Sequence, residues 1–268
     1  MCVLYICENV MKEFKEDICI HKDDFLIVQT KEVVFNNPVV FVTFPTPGIV
    51  GPIISRQMIE DLDLEEIGFF KSDSLSPVTI FMENILRHPY LLYANKEGTI
   101  LLINIDYPVP QEAYLVLAEG LINWIEKHVK ADKIVCLDGI PVKLRPEKAV
   151  VITAAEKEVA DELKSYGAEM YEHGVVLGLS GAFTSEALLR EIIGIVLMTP
   201  ATSDFPDPEA AANLINVINS YFKFNINTQP LLDEAAKIKQ QLAMIAEKQQ
   251  AMQGPSSPPP RRLREGYI

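Results

Sequence analysis

The sequence predicts an α/β protein with a mixed, mostly parallel sheet flanked by helices. Short apolar runs, rich in β-branched and aromatic residues, alternate with segments of helical periodicity. The runs are apolar almost throughout, which is typical of strands covered by helices on both faces. The turn sequence Asn95-Lys96-Glu97-Gly98 between two such runs predicts a hairpin, and therefore some antiparallel pairing.

The elements follow from these patterns in order. Strands are predicted over residues 25–30, 39–44, 90–94, 99–106, 133–137, 150–153, 175–179 and 192–198. Helices are predicted over residues 52–62, 111–129, 156–165, 184–190 and 207–222, with a last one beginning near Pro230. Asp207-Pro208-Glu209 is a helix start, because Asp caps a helix and Pro is favoured at its first position. The 111–129 helix is expected to bury a stripe that includes Leu115 and Leu117.

The chain divides into three parts. We expect residues 25–252 to form one α/β domain, residues 1–24 an N-terminal extension, and residues 253–268 a disordered, Pro-rich tail. Residues 1–10 are apolar but carry Glu8 and no basic segment, so they are a poor signal peptide, and Met11 is an alternative start to Met1. No apolar run reaches the roughly 18 residues of a membrane span. We expect a cytoplasmic protein without membrane contact.

Charge and cysteine usage exclude several function classes. The formal net charge is −13, which disfavours binding to nucleic-acid phosphates. The four cysteines form no C-x-x-C pair and no zinc pattern, and the four histidines form no metal-binding pair, so no metal or cofactor is expected.

Two glycine-containing junctions are the strongest candidates for a small-molecule site. Gly48 and Gly178 each lie between an apolar run and a helix, where a helix N-terminus can bind an anion. Neither junction has the residue order of a phosphate loop. A tight turn would therefore explain each glycine equally well. An enzyme would depend on groups such as Arg56 and Asp138, and the sequence pairs neither with a base or a metal ligand.

The last predicted helix carries a heptad-like apolar seam. Its residues recur at alternating spacings of four and three and are Leu231, Ala235, Ile238, Leu242 and Ile245. Two interpretations stay open. The seam packs on its own domain, or it forms a helix–helix contact between subunits.

Several short motifs follow one another in a characteristic order and spacing. In the N-terminal half these are Phe44-Pro-Thr-Pro-Gly48-Ile-Val-Gly51 and Asp138-Gly-Ile140. In the C-terminal half they are Gly178-Leu-Ser-Gly181, Val196-Leu-Met-Thr199-Pro200 and Phe205-Pro-Asp207-Pro208. Together they resemble the archaeal proteasome assembly chaperone family, and the resemblance covers residues 25–250. It implies a fold similar to nucleoside phosphorylases without their activity, a homo-oligomer (tetramer or pentamer), and a role at the α-ring of the proteasome core particle.

The family resemblance also gives the tail an interpretation. Partners that dock on the α-ring often end in a hydrophobic residue, a tyrosine and any residue. Tyr267 and Ile268 match two of these three positions, whereas Gly266 occupies the hydrophobic one. The opposing interpretation is a disordered terminus in which the tyrosine has no role.

Three hypotheses follow. The protein is an assembly chaperone without catalysis that binds α subunits, an ATP-independent activator that opens the proteasome gate through its tails, or a small-molecule enzyme on a phosphorylase-like fold.

Overall fold

The computed structural model describes residues 19–22, 25–82, 84–144, 146, 150–171 and 173–252, and it confirms the mixed α/β architecture. The strands are β1 (Cys19–Lys22), β2 (Phe25–Gln29), β3 (Val39–Thr43), β4 (Glu65–Ser72), β5 (Ile80–Met82), β6 (Ile85–Arg87), β7 (Tyr90–Ala94), β8 (Ile100–Ile105), β9 (Lys133–Val142), β10 (Val151–Ala154), β11 (Ala168–Met170) and β12 (Ile193–Thr202). The helices are α1 (Val50–Asp61), α2 (Tyr114–Trp124), α3 (Lys157–Ser165), α4 (Gly178–Leu189), α5 (Pro208–Phe222) and α6 (Gln229–Met252).

Ten of these strands form one sheet in the order β1-β2-β4-β7-β8-β3-β9-β12-β10-β11. The central four, β8, β3, β9 and β12, are parallel to one another, and each outer strand of this group pairs antiparallel with the next strand of the sheet, β8 with β7 and β12 with β10. The runs in β7 and β8 are buried at every position, as expected for strands covered on both faces. β5 and β6 form a separate two-stranded hairpin.

Helices cover both faces of the sheet. α2 and α4 pack on one face, around Trp124 and Phe183. α1, α3, α5 and α6 pack on the other, around Phe41, Ile54 and Leu214. Each layer presents its apolar side to the sheet, so two separate cores hold the domain together.

One border of the sheet collects most of the irregular structure. The four central strands all end there, at Thr43, Ile105, Val142 and Thr202, and we call this border the carboxyl edge. The connection from β4 to β7, which contains the β5–β6 hairpin, crosses the same edge, because Tyr90 pairs with Ile105. In open α/β sheets, ligands bind at the edge where parallel strands end.

The sequence correctly predicted the start of α5 and the turn between β7 and β8. In both, a side chain accepts hydrogen bonds from nearby backbone N–H groups. Asp207 caps α5 by accepting a hydrogen bond from the Ala210 N–H (3.0 Å), and Pro208 is the first helical residue. In the β7–β8 hairpin, the Asn95 side chain accepts from the Thr99 and Ile100 N–H groups (3.0 and 2.9 Å).

Two predictions were wrong. The strand predicted over residues 175–179 does not form, because α4 already begins at Gly178 and Leu177 is its extended N-cap residue. Leu115 was expected to face the core, but its side chain is 64% exposed. Burial within this subunit does not explain the apolar side chains of Leu115, Val175 and Leu177, which are exposed. Residues 19–22, which belong to the expected N-terminal extension, pair with β2 as strand β1.

The start of α1 gives a test of the packing at the carboxyl edge. A Cβ atom at Gly51 would lie 2.2 Å from the Phe44 carbonyl oxygen, and this backbone atom cannot move aside. Gly51→Ala should therefore lower the free energy of unfolding by about 1–3 kcal/mol, although alanine is the better helix former. Urea unfolding followed by circular dichroism measures this change.

Gly174→Ala is the matched control, because nothing lies within 4 Å of a Cβ atom at Gly174. Its effect should stay within about 0.5 kcal/mol. A Gly51→Ala variant as stable as the wild type would contradict the close approach of α1 to Phe44.

Candidate functional site

Helix α6 is anchored where it begins. The Asn219 side chain donates to the Ile226 carbonyl (2.8 Å) and accepts from the Ile226 N–H (2.9 Å), which fixes the turn between α5 and α6. The Asn227 N–H donates to the Asp61 carboxylate (2.6 Å) at the end of α1. The direction in which α6 leaves this turn is therefore set by bonds to two other helices.

The predicted seam divides into two parts on α6. Leu231 and Ala235 are buried in the subunit's own core, at 6% and 7% exposure, as in the first of the two interpretations. Ile238 and Leu242 line a groove, and Leu242 is 40% exposed. The side chain of Ile245 lies outside the described part of the chain. A contact of this seam with another subunit stays a prediction, restricted to its second half.

The groove lies between α6 and the loop that joins β12 to α5. It has a volume of about 330 Å³, and its lining is mainly apolar and proline-rich: Pro146, Thr202, Phe205, Pro206, Asp207, Pro208, Glu209, Ala235, Ile238, Lys239 and Leu242. Lys239 forms an ion pair with Glu209 across it. Because the β12–α5 loop belongs to the carboxyl edge, α6 runs towards that edge.

α6 becomes exposed beyond Ile238. Residues 239–244 are all exposed, in contrast to Leu231 and Ala235 one or two turns earlier. α6 has 24 residues and is therefore about 36 Å long. The predicted docking residues Gly266, Tyr267 and Ile268 lie outside the described residues, in the sequence that follows the end of α6.

A small cleft opens at the carboxyl edge where β3 and β8 end, beside the middle of β9. It has a volume of about 180 Å³ and is lined by Phe44, Pro45, Thr46, Pro47, Pro108, Val109, Tyr114, Asp138, Gly178 and Leu179. The cleft therefore brings the predicted residues Asp138 and Gly178 together. Arg56 lies exposed on α1, outside this lining.

Asp138 is held by the first turn of α4. Its carboxylate accepts hydrogen bonds from the Ser180 hydroxyl (2.8 Å) and the Gly139 N–H (2.8 Å). Burial raises the pKa of Asp138, and the bonds from Ser180 and Gly139 lower it in part. A carboxylate beside a helix N-terminus is favourable. This arrangement explains Asp138 as a group that positions α4. Its hydrogen-bond partner Ser180 was not predicted from the sequence.

The described lining of the cleft offers little for catalysis. It contains one carboxyl, Asp138, and one phenol, Tyr114, and the carboxyl already accepts two hydrogen bonds. Across the described residues, no group of three His, Cys, Asp or Glu side chains could hold a metal ion. No helix in the same ranges is long and apolar enough to cross a membrane.

Comparison with models of protein families identifies the family to which this chain belongs. The model of the PAC2 family matches residues 40–246, which contain the cleft, the groove and the first three quarters of α6. The chain belongs to the PAC2 family. An uncharacterised protein of Methanocaldococcus jannaschii is 33% identical over 244 residues, which cover 87% of this chain and 96% of that protein.

Two solved structures of Pyrococcus furiosus proteins are similar to this fold. PbaA, an archaeal homologue of proteasome-assembly chaperone, is 27% identical, with a TM-score of 0.76 over 86% of this chain and 95% of its own. PbaB, an archaeal proteasome activator, has the same TM-score of 0.76 over 84% of this chain and 100% of its own at 17% identity, which establishes a shared fold.

The burial of Asp138 predicts a pH-dependent stability in this PAC2 protein. A carboxyl whose pKa is raised by folding stabilises the fold below its ordinary pKa near 3.8, and this contribution is lost as the pH rises through the folded value. Asp138→Asn removes the dependence. Relative to the wild type, the variant should gain stability between acid and neutral pH, as measured by urea unfolding across this range.

Ser180→Ala is the complementary variant. It removes a hydrogen bond that lowers the pKa of Asp138, so the loss of stability with rising pH should become larger than in the wild type. An Asp138→Asn variant that loses stability relative to the wild type as the pH rises would contradict the inferred direction.

Proposed function

We propose that this PAC2 protein is an assembly chaperone that binds the α-ring of the proteasome core particle and performs no catalysis. The observation that carries the proposal is membership of the PAC2 family, together with 27% identity to PbaA over nearly the whole fold. The lining of the Asp138 cleft contains one carboxyl group and one phenol, which supports a binding role over an enzymatic one.

The last residues of the chain supply a docking element in this proposal. The ring of Tyr267 would fill an apolar pocket between neighbouring α subunits and its hydroxyl would find a hydrogen-bond partner. The terminal carboxylate of Ile268 would pair with a lysine in that pocket. An extended spacer of eleven residues, 254–264, would carry this element roughly 30 Å from α6.

A second candidate function follows from the same tail. An activator that opens the gate would act mainly through Tyr267 and Ile268, whereas a chaperone would also bind through its folded body. The two functions differ in how much survives when the tail is removed, and the enzyme hypothesis predicts neither proteasome binding nor a tail effect.

The test compares three proteins: the full chain, a chain lacking Tyr267 and Ile268, and a chain ending at Met252. Binding to purified core particles and hydrolysis of a fluorogenic peptide by those particles are measured side by side. For a chaperone, binding to free α subunits and promotion of their assembly should persist in part without the tail. Gate opening that vanishes with the two residues, without any assembly activity, would favour the activator. No binding by any of the three would overturn both.

Gly266 gives a test by gain of affinity. Gly266→Leu restores the hydrophobic position, buries an additional side chain and reduces the entropy lost on ordering the tail. Binding to core particles should tighten by about tenfold, measured by biolayer interferometry. Gly254→Leu, at the start of the spacer, should leave the affinity unchanged. Equal affinities for Gly266→Leu and the wild type would exclude this position from the docking element.

A further inference from the structure

The cleft at the carboxyl edge contains a carboxyl group that destabilises the fold in its ionised form. Among the described lining residues, Asp138 is the only charged one. Burial raises the pKa of this carboxyl, so the ionised form is held at a cost in stability, and asparagine at the same position should stabilise the domain at neutral pH. A side chain that costs stability at its own position is typical of a functional site.

The Asp138 carboxylate can still accept hydrogen bonds. An ionised carboxylate has about four acceptor positions, two on each oxygen. The Gly139 N–H occupies one position on Oδ1 and the Ser180 hydroxyl occupies one on Oδ2, each at 2.8 Å. Each oxygen therefore keeps one acceptor position that a donor entering the cleft can use.

The backbone around this carboxylate is poor in donors. Three of the ten lining residues are prolines, Pro45, Pro47 and Pro108, and each of these offers a backbone carbonyl and no N–H. The Pro47 carbonyl oxygen lies against Gly139, because a Cβ atom at that glycine would be only 2.6 Å from it. A ligand that donates several hydrogen bonds therefore fits the cleft better than a ligand that accepts them.

Charge favours a cation over an anion in the cleft. The chain has a net charge of −13, and none of the described lining residues is positively charged. The first turn of α4 attracts negative charge, and the Asp138 carboxylate already satisfies it there. An anion would meet this carboxylate at short range, whereas a cation would offset the charge that burial makes unfavourable.

The size and the surroundings of the cleft limit the shape of the cation. The cleft volume of about 180 Å³ is below the roughly 300 Å³ at which pockets for drug-sized ligands begin, so it suits one side chain. Three exposed apolar residues each adjoin a lining residue in the chain: Tyr107, Leu115 and Leu177. A partner with apolar side chains on either side of its cation would cover this surface.

We propose that the cleft binds a lysine side chain of a protein partner, with the ammonium group at the Asp138 carboxylate. An ammonium group has three donors and no acceptor, which suits the carboxylate, the Tyr114 hydroxyl and a proline carbonyl. The four-carbon stem of lysine packs along apolar surface while its charge reaches inward. The site does not depend on the proposed function, because any partner with a lysine between apolar residues meets these requirements.

Saturation-transfer difference NMR of a blocked peptide with the full chain tests the proposal. The probe is acetyl-Leu-Lys-Leu-amide, which should bind with a Kd of about 1 mM and show saturation of its lysine methylene protons. The same peptide with an acetylated lysine amine should bind about tenfold more weakly or less, because acetylation removes the charge. Equal binding of the two peptides would overturn the proposal. This comparison needs no variant, so it stands even if a substitution impairs folding.

Asp138→Asn removes the charge of the cleft with little change of shape. It should weaken binding of the peptide by about tenfold or more, because a hydrogen bond between two charged groups is lost. Asp106→Asn is the matched control. Asp106 follows β8 at the same edge and burial also raises its pKa, but it lies outside the lining of the cleft. This control should bind as the wild type does. Unchanged affinity in Asp138→Asn, or equal losses in both variants, would contradict the proposal.

Ser180→Ala separates a ligand contact from a structural role of Asp138. If the carboxylate acted only by positioning α4, loss of its bond to Ser180 should weaken peptide binding as much as Asp138→Asn does. If it contacts the ammonium group, the variant frees one more acceptor position and should bind the peptide at least as tightly as the wild type. Equal losses in Ser180→Ala and Asp138→Asn would therefore exclude the direct contact.

Two further comparisons identify the source of the cation. n-Butylammonium has the charged stem without apolar neighbours and should bind more weakly than the peptide, by about threefold or more. Equal affinities would assign the cleft to a free amine instead of a protein partner. The chain ending at Met252 lacks the tail arginines Arg261, Arg262 and Arg264. It should bind the peptide as the full chain does, and much tighter binding would show that the tail itself occupies the cleft and would overturn the proposal.

Discussion

The carboxyl edge depends on Asp207, which joins two junctions that are about 160 residues apart in the sequence. Its carboxylate accepts from the Thr202 N–H (3.2 Å) and the Ala210 N–H (3.0 Å), so it links the end of β12 to the start of α5. Its own N–H donates to the Gly48 carbonyl (2.9 Å), which binds the β3–α1 junction to the same point. Gly48 has a φ of 67°, and a Cβ there would lie 2.7 Å from the Asp207 Cβ. Only glycine permits this approach without strain.

This contact explains why two of the motifs that carried the family resemblance occur together. The Pro47-Gly48 turn and the Asp207-Pro208 helix start look like independent local signals in the sequence. In the structure each one requires the other, because the cap of α5 is also the hydrogen-bond donor to the turn before α1. The groove wall is built from residues on either side of Asp207, so the same contact sets the shape of the groove.

The sequence predicted the apolar central strands and the local cap and turn signals, and it missed elements whose residues are determined by a neighbouring strand. The α5 cap and the Asn95 turn close within five residues, and both were predicted correctly. β4 was not predicted, because its Gly68 and charged residues do not look like a strand. A Cβ at Gly68 would lie 2.2 Å from the Val28 carbonyl oxygen, so this glycine is required by the neighbouring strand β2.

The segment 175–177 resembled a strand because it is apolar, yet Val175 and Leu177 are exposed. Periodicity identifies apolar residues but does not distinguish a core from a surface that another molecule covers. For the same reason the seam on α6 could be recognised without showing that Leu231 and Ala235 belong to the domain and Leu242 to the groove. The tail residues were singled out by their order alone, and they stay a prediction.

The homo-oligomer that the resemblance implies would change how the proposed docking residues act. A single tail with glycine at position 266 should bind weakly, because that residue contributes no buried side chain. Several tails on one body bind with a local concentration set by their spacers, which can raise the overall affinity by a factor of about 10² or more. A weak docking element on each subunit is then an advantage, since a monomer would dissociate quickly whereas the oligomer would remain bound. If the tail docks as proposed, glycine at position 266 would make binding depend on how many tails one body carries.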